Sequence, residues 1–210
     1  MTETVRDHHA APARGSGDES RRAAILDAAA QLIAERGYHA VRISDIAKVV
    51  GTSTGAVHYH FPGKSDVLTL ALHHAITRAF DRQSEVLRAI PSAHQRLLKL
   101  IDMQLPRIGQ VRDEWSIWMQ FWAEATVRPE LRPQHNEFYA RWREAVVRIV
   151  ERGQADGEFR PEVDPTLVAM QLTAMTDGAA IQILTGTPGM TVTAMRELLI
   201  AFVQSALMPQ

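Results

Sequence analysis

The sequence predicts an all-α protein of about nine helices, a small three-helix unit at the amino end followed by a larger helical body. Three observations carry that prediction. Apolar residues recur at i, i+3, i+4 and i+7 along most of the chain, and no stretch shows strand-period alternation. Glycine, proline and capping residues fall between the periodic runs. Residues 43–64, ISDIAKVVGTSTGAVHYHFPGK, read as two short crossed helices around a glycine turn.

In chain order, residues 1–18 are rich in Ala, Gly, Pro and charge and lack periodicity, so an unstructured arm is expected there. Its Arg6 and Arg14 either reach a DNA minor groove or belong to a plain tail. The first helix covers about 20–36, capped by Asp18 or Ser20, with Ile25, Ala28, Ala29, Leu32 and Ile33 on one face and Gly37 closing it. In the second, Ile43, Ile46, Ala47 and Val50 share a face, and Gly51 ends it where positive φ is wanted. Thr52 or Ser53 caps the third helix, Ser53–Phe61, which Pro62–Gly63 stops. The small Ala47 lets the two helices cross closely, and Val57 fills the angle between them.

The fourth helix runs from Lys64 to Ala89, roughly 39 Å at 1.5 Å per residue, long enough to join the hairpin to the rest of the protein as a lever. Further helices follow over Ser92–Ile108, Asp113–Thr126, Arg132–Ala155, Asp164–Leu184, and from Thr191 or Thr193 to Met208. Asp164–Pro165 is a strong start, an N-cap followed by proline at the first helical position. The expected organisation is an arm at 1–18, a helix-turn-helix unit at 19–66 and a regulatory, ligand-binding and dimerisation domain at 67–210.

Composition narrows the function. The net charge of −1 does not mark a nucleic-acid binder, so any DNA binding must come from a local patch. Arg36, Arg42, Lys48 and Lys64 against the single acid Asp45 supply one across the hairpin. The absence of cysteine excludes disulfides, thiolate nucleophiles and Cys-ligated metals. The amino end has no signal-peptide pattern, and no apolar segment is expected to reach the ~20 residues of a membrane span, so a soluble cytoplasmic protein is expected. His73–His74 and His58/His60 lack the spacing to share a helix face as metal ligands, and no HExxH or Gly-rich phosphate loop occurs. No enzymatic activity and no cofactor are therefore expected.

On the hairpin, Ser44, Thr52, Ser53, Thr54, Gly55, His58, Tyr59, His60 and Lys64 are the candidate DNA-binding residues. Thr54, Gly55 and His58, at the start of the recognition helix, are placed to meet base edges in a major groove. Lys64 opens the lever helix, where main-chain N–H groups favour an anion. His60 has an alternative role, packing inside the hairpin.

These residues resemble the TetR family of one-component bacterial repressors. The run GTSTGAVHYHFPGKSDVL carries the likeness, and FWAEA, ARW, DGEF and MTDGA are similar to the regulatory domain of the BetI-type subgroup. The resemblance implies that Tyr59, His60 and Lys64 contact phosphates, although Gly63 stands where Asn or Ser is common. It implies a homodimer on a double-stranded palindromic operator, formed through the last two helices, about 164–208. Leu167, Val168, Leu172, Met175, Ala179, Ile183, Leu198, Leu199, Phe202, Val203 and Ala206 offer the apolar stripes for it.

The remaining feature is aromatic. Trp115, Trp118, Met119 and Trp122 share a helix face, which reads either as core or as a ligand pocket completed by Phe138, Trp142, Met103, Met175 and the acidic Asp177. Glu124 is the other nearby acid. The resemblance implies a small-molecule effector whose identity the sequence leaves open; aromatic faces with a carboxylate suit a cation, and BetI-type relatives respond to choline, so a quaternary ammonium is one candidate. Release of the operator by that effector is the expected action. The alternative is a helical ligand- or partner-binding module without specific DNA binding.

Overall fold

The computed structural model describes residues 14–209, and side-chain positions from residue 17. Among these residues it is all-α: α1 Arg14–Arg36, α2 Ile43–Val50, α3 Thr54–His60, α4 Lys64–Arg88, α5 Ala93–Gln104, α6 Gln110–Val127, α7 Arg132–Ala155, α8 Pro165–Leu184 and α9 Val192–Leu207. Two single 3-10 turns, Tyr38–Ala40 and Pro129–Leu131, precede α2 and α7.

Most ends follow from their residues. Gly51 closes α2 at φ 71°, a conformation a side chain would resist. Ser53, Ser92, Asp164 and Thr191 each accept a backbone N–H as N-caps of α3, α5, α8 and α9. Two starts differ from expectation. α1 begins at Arg14, so residues 14–18 are helical and Asp18 and Ser20 lie inside the helix; Arg6 lies outside the described residues. α6 begins at Gln110 behind Gly109, whose φ of 103° turns the chain, so Asp113 sits in the first turn instead of capping it.

The chain packs around two cores. The first gathers Ile25, Ile33, Ile46, Val57 and Phe61 of the hairpin unit with Val67, Leu68 and Leu72 of α4, and continues into Ile117, Phe121 and Phe138. The second holds Leu97, Leu100 and Ile101 of α5, Val146 and Val150 of α7, and inward residues of α8 and α9. α4 and α6 therefore belong to both halves. They are joined by Arg82, whose two terminal nitrogens donate to the two oxygens of Glu114 at 2.6 and 2.8 Å.

α8 corrects one expectation. Its 20 residues are long and apolar enough, by length and composition, to cross a membrane, because scattered Thr and Gln residues and a single Asp barely lower its average. Val168, Ala169, Leu172, Ala179 and Ala180 are buried against α7 and α9, so this is a core helix with a second apolar face outside. Val168, Leu172, Ala179, Leu199 and Val203, expected on the dimer face, fill the subunit's own interior.

Candidate functional site

The hairpin presents an exposed polar face. Ser44, Ser53, Thr54, Gly55, His58 and Lys64 are exposed, Thr52 is half-exposed, and Tyr59 is 80% exposed with its phenol in solvent. The Ser53 hydroxyl is occupied, accepting the Ala56 N–H at 3.1 Å. Gly55 takes no unusual backbone conformation, and a Cβ there would meet only Ser53 Oγ at 3.7 Å. The fold does not require this glycine, yet glycine weakens a helix by about 1 kcal/mol relative to alanine. The space it leaves is on the outside, where another surface can approach.

His60 is placed differently from its neighbours. Its side chain is only 5% exposed, held 3.7 Å from Asp18 and edge-on to Tyr59. It packs under the face that Tyr59 presents. Lys64 donates to the His39 carbonyl at 3.0 Å, which ties the start of α4 to the turn after α1.

That turn is clamped to α6. The Tyr38 N–H donates to Gln120 Oε1 at 3.0 Å, and Arg128 donates to the Tyr38 hydroxyl at 2.9 Å. His39 Nε2 lies 2.8 Å from Glu124 Oε1, a buried carboxylate also 3.7 Å from Arg128. Glu124 thus serves the hairpin side of α6.

The opposite face of α6 lines a cavity of about 50 Å³. Its walls are Trp115, Trp118 and Trp122 of α6, Phe138, Tyr139 and Trp142 of α7, Asp177 with Thr173 and Thr176 of α8, and Ile76, Ala79, Phe80 and Gln83 of α4, with Gln104 at the end of α5. Six of the expected pocket residues come together there. Met103, Met119 and Met175 do not line it. Tyr139 is the most informative residue missed, and FYARW held its signal, because Tyr139 stands three residues before Trp142 on one face.

The polar groups around the cavity are mostly paired. Trp115 Nε1 donates to the Gln104 carbonyl at 2.7 Å, and Trp142 Nε1 to Thr173 Oγ1 at 3.0 Å. Trp122 Nε1 is buried with no hydrogen-bond partner. The Tyr139 hydroxyl donates to Asp177 at 2.7 Å. Burial pushes the Asp177 carboxyl up to about 6, against the Tyr139 hydrogen bond and the charges of Arg143 and His135. Burial and the Asp177 charge raise the Tyr139 phenol likewise. The site is thus an aromatic box with a single carboxylate on its wall, a type of surface on which aromatic faces and a negative charge can together attract a cation. Its volume equals a few waters at ~10–15 Å³ each.

Comparison with known proteins agrees with both halves. Residues 25–70 match the family model described as bacterial regulatory proteins, tetR family, and residues 93–208 that of the BetI-type transcriptional repressor, C-terminal. A transcriptional regulator from Saccharomonospora viridis, solved in complex with choline, is 44% identical with a TM-score of 0.84, covering 91% of this chain and 99% of that one. The HTH-type transcriptional repressor KstR2 of Rhodococcus jostii is 28% identical over 152 residues, 72% of this chain and 74% of its own length. The regulator BetI of Escherichia coli is 30% identical over 113 residues, 53% of this chain and 58% of its own length.

Proposed function

The chain belongs to the TetR family of bacterial transcriptional regulators, ligand-responsive helix-turn-helix proteins, and from that premise we propose that it represses transcription as a homodimer on a palindromic operator and leaves it when a small quaternary ammonium compound enters the aromatic cavity. The observation that carries the effector class is the box of Trp115, Trp118, Trp122, Phe138 and Trp142 beside Asp177. The choline found in the Saccharomonospora viridis protein supports it.

The work divides near residue 66. Residues 19–66 meet the DNA, with Thr54, Gly55 and His58 reading base edges and Ser44, Tyr59 and Lys64 positioning the unit on phosphates. Residues 67–210 hold the ligand and the dimer contact. The exposed stripe on α8 and α9, including Leu167, Met170, Ala174, Leu198 and Ala201, suits a four-helix interface. Gly178 on the same side has open space where a side chain would stand, so a partner helix can approach closely. Two hairpins related by two-fold symmetry then read half-sites roughly 34–36 Å apart, or a multiple. The protein acts in the cytoplasm, where the operator is.

α6 supplies the coupling. A cation drawn between its indoles and Asp177 stabilises one placement of α6, and the Gln120, Glu124 and Arg128 clamp passes that placement to the turn before α2. The test is selection of bound duplexes from a random pool, followed by gel shift with choline and with tetramethylammonium. The expected result is a palindromic motif whose complex dissociates with either cation. No enriched motif, or a complex indifferent to both, would overturn the proposal.

A further inference from the structure

The aromatic box opens onto a second space. Trp122, Tyr139 and Asp177 line both the inner cavity and an outer cleft of about 660 Å³ between α6, α7 and α8. Beyond those three shared residues, the cleft has a different chemistry from the box. Arg132 contributes a cation and His135 and Asn136 hydrogen-bonding groups, with Thr126 beside them, and Ile181 closes its α8 rim. Arg132 is exposed, and its one hydrogen bond, to the Ala125 carbonyl, is long at 3.5 Å. His135 stands against the Tyr139 ring at 4.8 Å, turned toward the boundary between the two spaces.

The boundary itself has an unused donor. Trp122 Nε1 is shielded from solvent and has only a weak contact with the Tyr139 hydroxyl, short of a full hydrogen bond, while the indoles of Trp115 and Trp142 are both satisfied. A buried N–H without a partner is costly and is tolerated where a ligand supplies the acceptor. The order outward from the box is therefore the indoles with Asp177, an N–H donor short of a full partner, then a polar cleft with one guanidinium.

We propose, resting on the quaternary ammonium reading above, that the Arg132 end of the outer cleft, away from the Asp177 it shares with the box, is a second subsite for an anionic tail, and that the preferred effector is a trimethylammonium zwitterion rather than choline itself. The head group sits among the indoles facing Asp177. An oxygen of the tail accepts from Trp122 Nε1, and its negative charge lies toward Arg132 and His135. The Tyr139 hydroxyl, donating to Asp177, covers that carboxylate on the side of the tail.

Calorimetric titration of the full-length protein with tetramethylammonium, choline, glycine betaine and phosphocholine tests this. The short carboxylate and the longer phosphate ester show which tail the cleft takes. At least one zwitterion should bind tenfold or more tightly than choline. Arg132→Gln should abolish that advantage while leaving choline affinity within about twofold, which also verifies that the variant is folded. His135→Asn should reduce the advantage in part. Choline binding as tightly as both zwitterions, or an advantage that survives Arg132→Gln, overturns the second subsite and leaves the aromatic box standing. Failure of all four compounds to bind overturns the box, and the subsite with it.

Discussion

At the scale of single residues, Asp177 decides the most. Its carboxyl titrates near 6 in the folded protein against 3.8 for an unperturbed one, chiefly because of burial. Between those values the folded state holds a proton that the unfolded chain has released, so stability contributed by this group falls as pH rises from about 4 to 6 and is level above. The lost stability is on the order of 1–3 kcal/mol, reduced by solvent in the open cleft. Asp177→Asn should therefore raise Tm at pH 7 and flatten its pH dependence. Choline binding has the opposite requirement, since a cation needs the carboxylate. Its affinity should drop toward tenfold per pH unit below 6 in the native protein, and be weaker and level with pH in Asp177→Asn. Calorimetric titration from pH 5 to 8 checks both, and a native protein with flat affinity would remove Asp177 from the site. His60 shows the opposite lesson. Its place in the Tyr-His-Phe run suggests a phosphate contact, whereas its side chain is sheltered beside Asp18. Spacing assigns a helix face, but not how deeply a ring of intermediate polarity sinks into it.

At the scale of elements, α6 touches both the cavity and the hairpin unit, which is why the proposed coupling is assigned to it. Trp115, Trp118 and Trp122 face the cavity, while Gln120, Glu124 and Arg128 hold the turn before the hairpin. The double variant Gln120→Ala/Arg128→Ala removes two of those ties without touching the indoles. Choline affinity should stay within threefold, whereas the coupling between choline and operator, typically 1–3 kcal/mol, should shrink by more than half. Gel shifts across a choline series measure it, and full coupling in the variant would place the transmission elsewhere. Most elements were legible because each buries an apolar stripe and carries its own stop signal: Gly51, Asp164–Pro165 and Thr191 mark ends by local chemistry alone. The start of α1 was not, because Gly15, Gly17 and Asp18 are poor helix formers. The start of α6 hid behind Asp113, a good cap that Gly109 pre-empts four residues earlier.

At the scale of the whole molecule, the uncovered stripe on α8 and α9 is the face on which the proposed dimer would form. Met170 and Leu198 are 51% and 42% exposed, large apolar groups on the two helices. Met170→Glu with Leu198→Glu should shift sedimentation from dimer to monomer at micromolar concentration and weaken operator binding by at least a hundredfold, with helical content unchanged by circular dichroism. A variant that remains dimeric would move the interface off this face. The cavity is also a whole-molecule property, and for that reason only partly legible. Residues on one stretch, such as Trp115 to Trp122, announce themselves by spacing. Gln83, Gln104 and Thr176 come from three other helices, and only packing brings them to the same space. Met103, Met119 and Met175 share the right stretches and miss the cavity by the turn of a helix.

All four tryptophans of the chain border that one cavity, and the hairpin has none. Ultraviolet emission from the unlabelled protein is thus a built-in gauge of a single compartment. It should change colour or brightness when the compartment fills, and a smaller change on adding operator would report the reciprocal shift of α6, so both sides of the exchange can be followed optically without a label.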